Sequence, residues 1–487
     1  MSALAKRTAN LRVFLWGDGK LGCLGGRGIR DRKADDPISF SIPNACGVTA
    51  GWAHSGILSE DGKFFALGRT HDIQNCLRVA RMWKLTAAGI RVWNSIDCPE
   101  PRYVVPPEAH MPQNDPIVSG DTSACLTAIT TESGRTFLYG DNRHGQCGNG
   151  DPCDRVWDPT ELVGVREGDR MSGVALGFQH GLGLTHSGSV YAWGKGDRGQ
   201  LGIGGAQSNA VATVLPAFDQ ERQPPEVLRL PADVQDRVDV QKRRIEQTEV
   251  PKLQPNKDFI DVQESGDGGE HISSDSADEH DNSLPAAIDD AAKKPNHTDF
   301  RLEHKSHRAT KIGCGLNHSA AMSNEGKMFL WGKFCSIVEN DEGNAYNDQF
   351  VPRQATLKSP VIDFACGQYH TTCLTADGSL WVMGMQSANL ARQRALDPDS
   401  SYKYDTLSRF INEPEEVEFQ GSFEDAEEEI VKIVAGWGTN AVITNRGHVY
   451  TYVWNEPPKL MQELKDYFVV DIAFGWKHNI MVGERRA

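Results

Sequence analysis

No apolar stretch in this 487-residue chain is longer than a few residues. A bilayer-crossing helix needs about 20, so no membrane span is expected. No secretory leader is expected either: Lys6, Arg7 and Arg12 run almost at once into the strand-like segment 13–16, with no apolar core between. A mitochondrial presequence would have to overlap that same strand. The expected location is cytoplasmic or nuclear, with a mitochondrial one left open. None of the eleven cysteines (23, 46, 76, 98, 125, 147, 153, 314, 335, 366 and 373) forms a CxxC pair, and their odd number opposes a complete disulfide framework. Free thiols in a reducing compartment are the simpler reading. Equally missing are a nucleophile–base motif, a phosphate-binding glycine loop and an HExxH metal signature. No catalytic residue, metal ligand or cofactor is assigned.

Basic charge is also in deficit, with 51 Lys and Arg against 66 Asp and Glu for a formal −15. Neutralising a phosphate backbone takes clustered Lys and Arg, so chromatin or nucleic acid is not an expected partner. Much of the acidity is local. Residues 258–290 hold eleven Asp or Glu and no Lys or Arg, among Ser, Gly and Asn. Such a stretch buries too little apolar surface to offset its ordering entropy and is expected to be disordered. What the chain has in quantity is glycine, 48 residues, and proline, 24, beside 39% hydrophobic residues. That balance points to an all-β fold with many tight turns.

One pattern returns along the chain: Gly, two variable residues, His or a hydroxyl residue, then apolar alternation, a turn and another strand. The seven copies start at Gly51/His54, Gly120/Ser123, Gly177/His180, Gly315/His318, Gly367/His370, Gly436/Thr439 and Gly475/His478. From the first Gly to a turn Gly is eleven residues in five copies, reaching Gly62, Gly188, Gly326, Gly378 and Gly447, whereas the second copy needs fourteen to reach Gly134. A glycine there supplies the positive φ of a tight hairpin. Six residues on, a second Gly follows a strand such as Tyr191-Ala-Trp193-Gly194. In the seventh copy the turn register falls at Arg486, so its second hairpin strand is missing. Val13-Phe-Leu-Trp16-Gly17 looks like that orphan strand, with Leu11 in the turn register. The two partial copies together make one blade, which would close a ring and leave no terminal blade with an open sheet edge.

A tail recurs five residues beyond the second Gly, as Gly22-Cys-Leu-Gly25, Gly145-Gln-Cys-Gly148 and Gly199-Gln-Leu-Gly202. With the Gly-x-x-His and turn spacings, it closely resembles the regulator-of-chromosome-condensation repeat family. The resemblance covers about 12–216 and 309–483 and implies an all-β, seven-bladed β-propeller, its last blade closed by N- and C-terminal strands. Kelch and other propellers do not require this Gly-x-x-His phase. The chain 1–487 is read as one propeller with three excursions: a loop at 69–117, the acidic and disordered 217–308, and an acidic loop at 385–430.

Insertions are where a partner is sought. Within the first, 73–85 places Cys76, Val79, Ala80 and Trp83 at helical spacing beside Arg78, Arg81 and Lys84. This is an amphipathic helix that either packs on the propeller or, through Arg78, Arg81, Trp83 and Lys84, offers a partner surface. Ser276-Ala-Asp-Glu279 resembles an acidophilic kinase site. The run Glu424-Asp-Ala-Glu-Glu-Glu429 reads as a solvated loop. The recurrent histidines could be metal ligands or bases, but Ser123 and Thr439 keep a hydrogen-bond donor while being poor transition-metal ligands. They are expected to satisfy carbonyls between blades, a structural role the resemblance also implies.

Two functions are carried forward. One is an intracellular interaction scaffold that binds another protein. The other, implied by the family's namesake, is a guanine-nucleotide exchange factor for a small GTPase, which needs no covalent chemistry. A third reading follows from Trp52, Trp437 and Trp476, which resemble the tryptophan cluster of the plant UV-B photoreceptor in this family. Ala53, Gly438 and Lys477 stand where that receptor has arginines, which disfavours it.

Overall fold

Apolar residues alternating on either side of a turn glycine fold into a hairpin: His54–Ser59 pairs with Phe64–Gly68 around Gly62, whose φ of +74° only glycine adopts freely. The same hairpin recurs around the chain. The computed structural model describes residues 11–18, 24, 33–52, 54–68, 98–103, 115–124, 126–220, 306–333, 348–387, 408–418, 423, 427–436, 439–453, 456–476 and 478–486. All belong to one unit, Met1–Gln220 with Lys305–Ala487. The helix expected at 73–85, with Arg78, Arg81, Trp83 and Lys84, lies outside the described residues, as do the acidic tract 258–290 and Trp437.

The described residues form seven four-stranded antiparallel sheets. They are the blades of a propeller, numbered by their innermost strands: Ala45–Ala50, Ile117–Thr122, Met171–Leu176, Ala309–Cys314, Val361–Cys366, Ile430–Ala435 and Tyr467–Phe474. Each innermost strand contacts the next, and blade 7 contacts blade 1. In blade 7, Arg12–Asp18 pairs with His478–Arg485, from Arg12 opposite Gly483 to Gly17 opposite His478. The N-terminal orphan strand thus completes the C-terminal copy, as its register implies.

Three residues past each turn glycine stands an aromatic ring: Phe65, Phe137, Tyr191, Phe329, Trp381 and Tyr450, with Phe14 at the same count from Leu11. Six of the seven are buried and Phe65 is half-buried. Two residues further, Trp193 Nε1 donates to the Gln146 carbonyl at 2.9 Å and Trp331 Nε1 to the Gln200 carbonyl at 2.9 Å. The Gly-Gln-x-Gly tails are therefore latches that hold the following blade. Blades 4 and 5 lack the tail, and the blades after them carry Met383 and Tyr452 in place of the tryptophan.

Proline marks the outermost strands, where no neighbour needs its missing N–H. It occurs in Cys98–Tyr103, Arg155–Glu161, Gln349–Ala355, Ser408–Val417, Glu456–Leu460 and Lys33–Phe40. Two of these strands fall inside segments read as loop: Cys98–Tyr103 lies within 69–117 and Ser408–Val417 within 385–430. The excursion read at 217–308 is also shorter, because Phe218 is buried against Phe329 and Trp331. The acidic run differs from the expected solvated loop as well. Glu428 is buried, accepting from Tyr450 Oη at 2.9 Å and pairing with His448 Nδ1.

Candidate interaction site

The hairpin turns lie on one face of the ring and the Gly-x-x-His segments on the other, here called the histidine face. On that face the glycine and histidine of a repeat depend on each other. The Gly177 N–H donates to the His180 carbonyl at 2.8 Å, and the imidazole folds back so that a Cβ on Gly177 would overlap it. Gly315, Gly367 and Gly475 stand in the same relation to His318, His370 and His478.

This geometry corrects the second copy. The Ser123 N–H donates to the Leu126 carbonyl at 3.0 Å, so Ser123 occupies the glycine position and Leu126 the histidine position. Gly120 and Ser123 are therefore three residues out of register. With Ser123 as origin, the turn at Gly134 falls eleven residues on, like the others. Without an imidazole to fold back, the first position no longer has to be glycine. Ser123 Oγ instead donates to the Gly177 carbonyl in blade 3.

Each imidazole reaches the next blade, where a side chain meets it, and His180, His318 and His478 also bond the main chain of His318, His370 and His54 there. His54 Nε2 meets Thr127 Oγ1 at 3.1 Å, His180 meets Ser319 Oγ at 2.9 Å, His318 meets Thr371 Oγ1 at 3.1 Å and His478 meets Ser55 Oγ at 2.9 Å. His370 meets Asn440 Oδ1. The Ser319 hydroxyl passes its own hydrogen to the Gln200 carbonyl at 2.8 Å, which makes His180 Nε2 the donor in that chain. Opposite Leu126, which needs no acceptor, blade 3 has Gly181. Sequence reading missed these acceptors, although His-Ser or His-Thr in three copies was their signal.

Burial pushes His180 and His478 down to about 4. His318 falls to about 3, by burial and by the neighbouring His370 and His180. His370 is lowered by burial against the opposing bond from Asn440. Buried and with their pKa values lowered, these imidazoles sit at the blade interfaces.

The innermost strands enclose a central cavity of about 350 Å³. Four residues before the repeat glycine position, blades 4 to 7 carry Lys311, Asp363, Lys432 and Asp471, whereas blades 1 to 3 carry Gly47, Ser119 and Gly173. Lys432 Nζ lies 2.6 Å from Asp471, and Lys311 pairs with Asp363. The carboxylates also accept main-chain N–H groups from the following blade: Asp471 from Val48 at 3.2 Å, Asp363 from Ile433 at 3.4 Å and, two positions along, Asp121 from Leu176 at 2.8 Å. These charges pin adjacent blades together. Burial pushes Asp121 up to about 7, against its main-chain donors.

The histidine face has three further features. Trp52 stacks on Trp476 with centroids 5.3 Å apart and meets the edge of Phe178 at 5.3 Å, gathering rings from blades 7, 1 and 3. In blade 5, Leu380–Ser387 and Ser408–Val417 continue three residue pairs past Gly384, to Ser387 opposite Ser408, and form a ribbon beyond the ring. The paired strand ends at Gly68 and Cys98 of blade 1 also lie on this face.

Models of the regulator of chromosome condensation (RCC1) repeat match residues 187–235 in one form and 172–200 and 361–389 in another. The mouse RCC1-like G exchanging factor-like protein is 25% identical, over 74% of this chain and 87% of its own. The ultraviolet-B receptor UVR8 of Arabidopsis thaliana is 24% identical, over 71% and 70%. Human WBSCR16 superposes with a TM-score of 0.62 at 17% identity, covering 98% of this chain and 99% of its own. Prp20p of Saccharomyces cerevisiae, described with its binding to Gsp1p and histones, has a TM-score of 0.57 at 15% identity, covering 100% and 96%. Among the described residues no helix is long and apolar enough to cross a membrane.

Proposed function

Because the chain belongs to the regulator-of-chromosome-condensation repeat family, we propose that it is a protein-interaction propeller whose histidine face receives a partner protein in the cytoplasm or nucleus. The observation that carries this reading is the blade 5 ribbon, which extends past the ring on the face that also carries the aromatic cluster of Trp52, Phe178 and Trp476. A two-stranded ribbon offers main-chain groups to a partner. Removing Met385–Ser387 together with Ser408–Phe410 should abolish partner binding and leave thermal unfolding in place. Binding that survives this deletion overturns the reading.

The second reading is nucleotide exchange on a small GTPase, supported by similarity along most of its length to a relative named as an exchanging-factor-like protein. Exchange requires only a surface that holds the nucleotide-free GTPase. Release of a fluorescent guanine nucleotide from a panel of small GTPases separates the two. Accelerated release from one member, lost on shortening the ribbon, selects exchange; no acceleration leaves the scaffold.

A further inference from the structure

Trp157 is the most exposed large hydrophobic residue among the described ones, at 55%, and it sits on the outermost strand of blade 2. That strand breaks register between Val156, opposite Gly140, and Thr160, opposite Leu138. Trp157, Asp158 and Pro159 therefore bulge outward together, near the rim of the histidine face. The Arg155 guanidinium lies over the indole at 4.2 Å. Asp151, Asp154 and Asp158, all exposed, lie within six residues of Trp157 along the chain. The segment is anchored by Asn142, fully buried, which donates to the Asp151 carbonyl at 2.9 Å and accepts from Cys147 N at 2.9 Å. An exposed tryptophan on an anchored strand is the type of side chain that dominates protein interfaces, and anchoring lowers the ordering cost of binding.

We propose that Trp157, with Asp154 and Asp158, docks a basic segment of a partner protein, whose Lys or Arg side chains pack on the indole and pair with the carboxylates. The choice of occupant rests on charge complementarity: the acids outnumber Arg155 locally, and the whole chain carries −15. Arg and Lys are also the side chains an indole face attracts. The inference rests on the interaction reading above and names its partner's chemistry.

The test is fluorescence anisotropy of a labelled peptide of alternating Lys and Arg, with an alternating Glu and Gln peptide as control, titrated with the full chain. Trp157→Ala should weaken the basic peptide by roughly tenfold, and Asp154→Asn with Asp158→Asn should weaken it and flatten its salt dependence. Trp157→Phe should keep part of the affinity. Glu463→Gln with Asp466→Asn removes two exposed acids of blade 7 and should change little. Equal binding by wild type and Trp157→Ala, or equal loss from the blade 7 pair, reduces the effect to net charge and overturns the proposal. Because Trp157 is exposed, its variants should unfold at the wild-type temperature, which circular dichroism checks. A partner that still requires the blade 5 ribbon but ignores Trp157 would sink this inference alone and leave the interaction reading standing.

Discussion

Glycine and histidine three residues apart act here as one unit, since the imidazole covers the place a Cβ would take. Gly177→Ala should therefore cost several kcal/mol in the wild type but much less when His180 is already Ala, because the clash is then gone. Denaturant unfolding of the two single variants and the double should give a coupling of about 1–3 kcal/mol; strict additivity would refute the dependence. The same histidines set the response to acid. His180 and His478, near 4 in the fold against 6.5 unfolded, take up protons only on unfolding between those values. Each therefore removes up to about 1.4 kcal/mol per pH unit as pH falls through that window. His318 and His370 act in the same direction. Asp121, raised to about 7 from 3.8, works oppositely, its contribution fading as pH rises. Melting temperature should fall from pH 6.5 to 4, and more steeply in Asp121→Asn. A flat profile would contradict the burial of these rings.

At the scale of elements, what could be read from sequence was what recurs locally. The hairpins, their turn glycines and the blade shared by the termini all lie within a fixed count along the chain. The second copy slipped by three residues because Gly120 mimics the repeat glycine, while the true position holds Ser123. Outer strands were missed because each follows a connection of variable length, although their prolines mark an edge. The tails were visible as motifs, but their purpose was not, since the tryptophan each one holds belongs to the next blade. Trp193→Phe leaves the Gln146 carbonyl without its indole donor and should cost about 1–3 kcal/mol. Trp331→Phe should cost less, because Gln200 keeps the Ser319 hydroxyl at 2.8 Å. Equal costs would mean that packing, and not the hydrogen bond, makes the latch. The longest excursion leaves from a closed base: Gln220 Nε2 donates to the His307 carbonyl at 2.9 Å. Replacing 221–305 by a short Gly-Ser linker should leave the melting temperature within a few degrees, and a large drop would place those residues in the propeller's core.

For the molecule as a whole, blade 7 is the clasp. Removing residues 1–18 takes away the strand that pairs with His478–Arg485 and exposes two sheet edges. Cooperative unfolding should be lost or its midpoint lowered by many degrees, and an unchanged transition would disprove the closure. The clasp also fixes an order of events during synthesis. Arg12–Asp18 leaves the ribosome before every other described strand, yet its inner partner is made after all of them. Until then an apolar strand with an unpaired edge must wait while six blades assemble, exposed to every other nascent chain nearby. A ring whose last blade gains its shared strand only at closure is thus most prone to aggregate just before it closes, which makes its biogenesis, more than its folded stability, the stage at which a chaperone would matter.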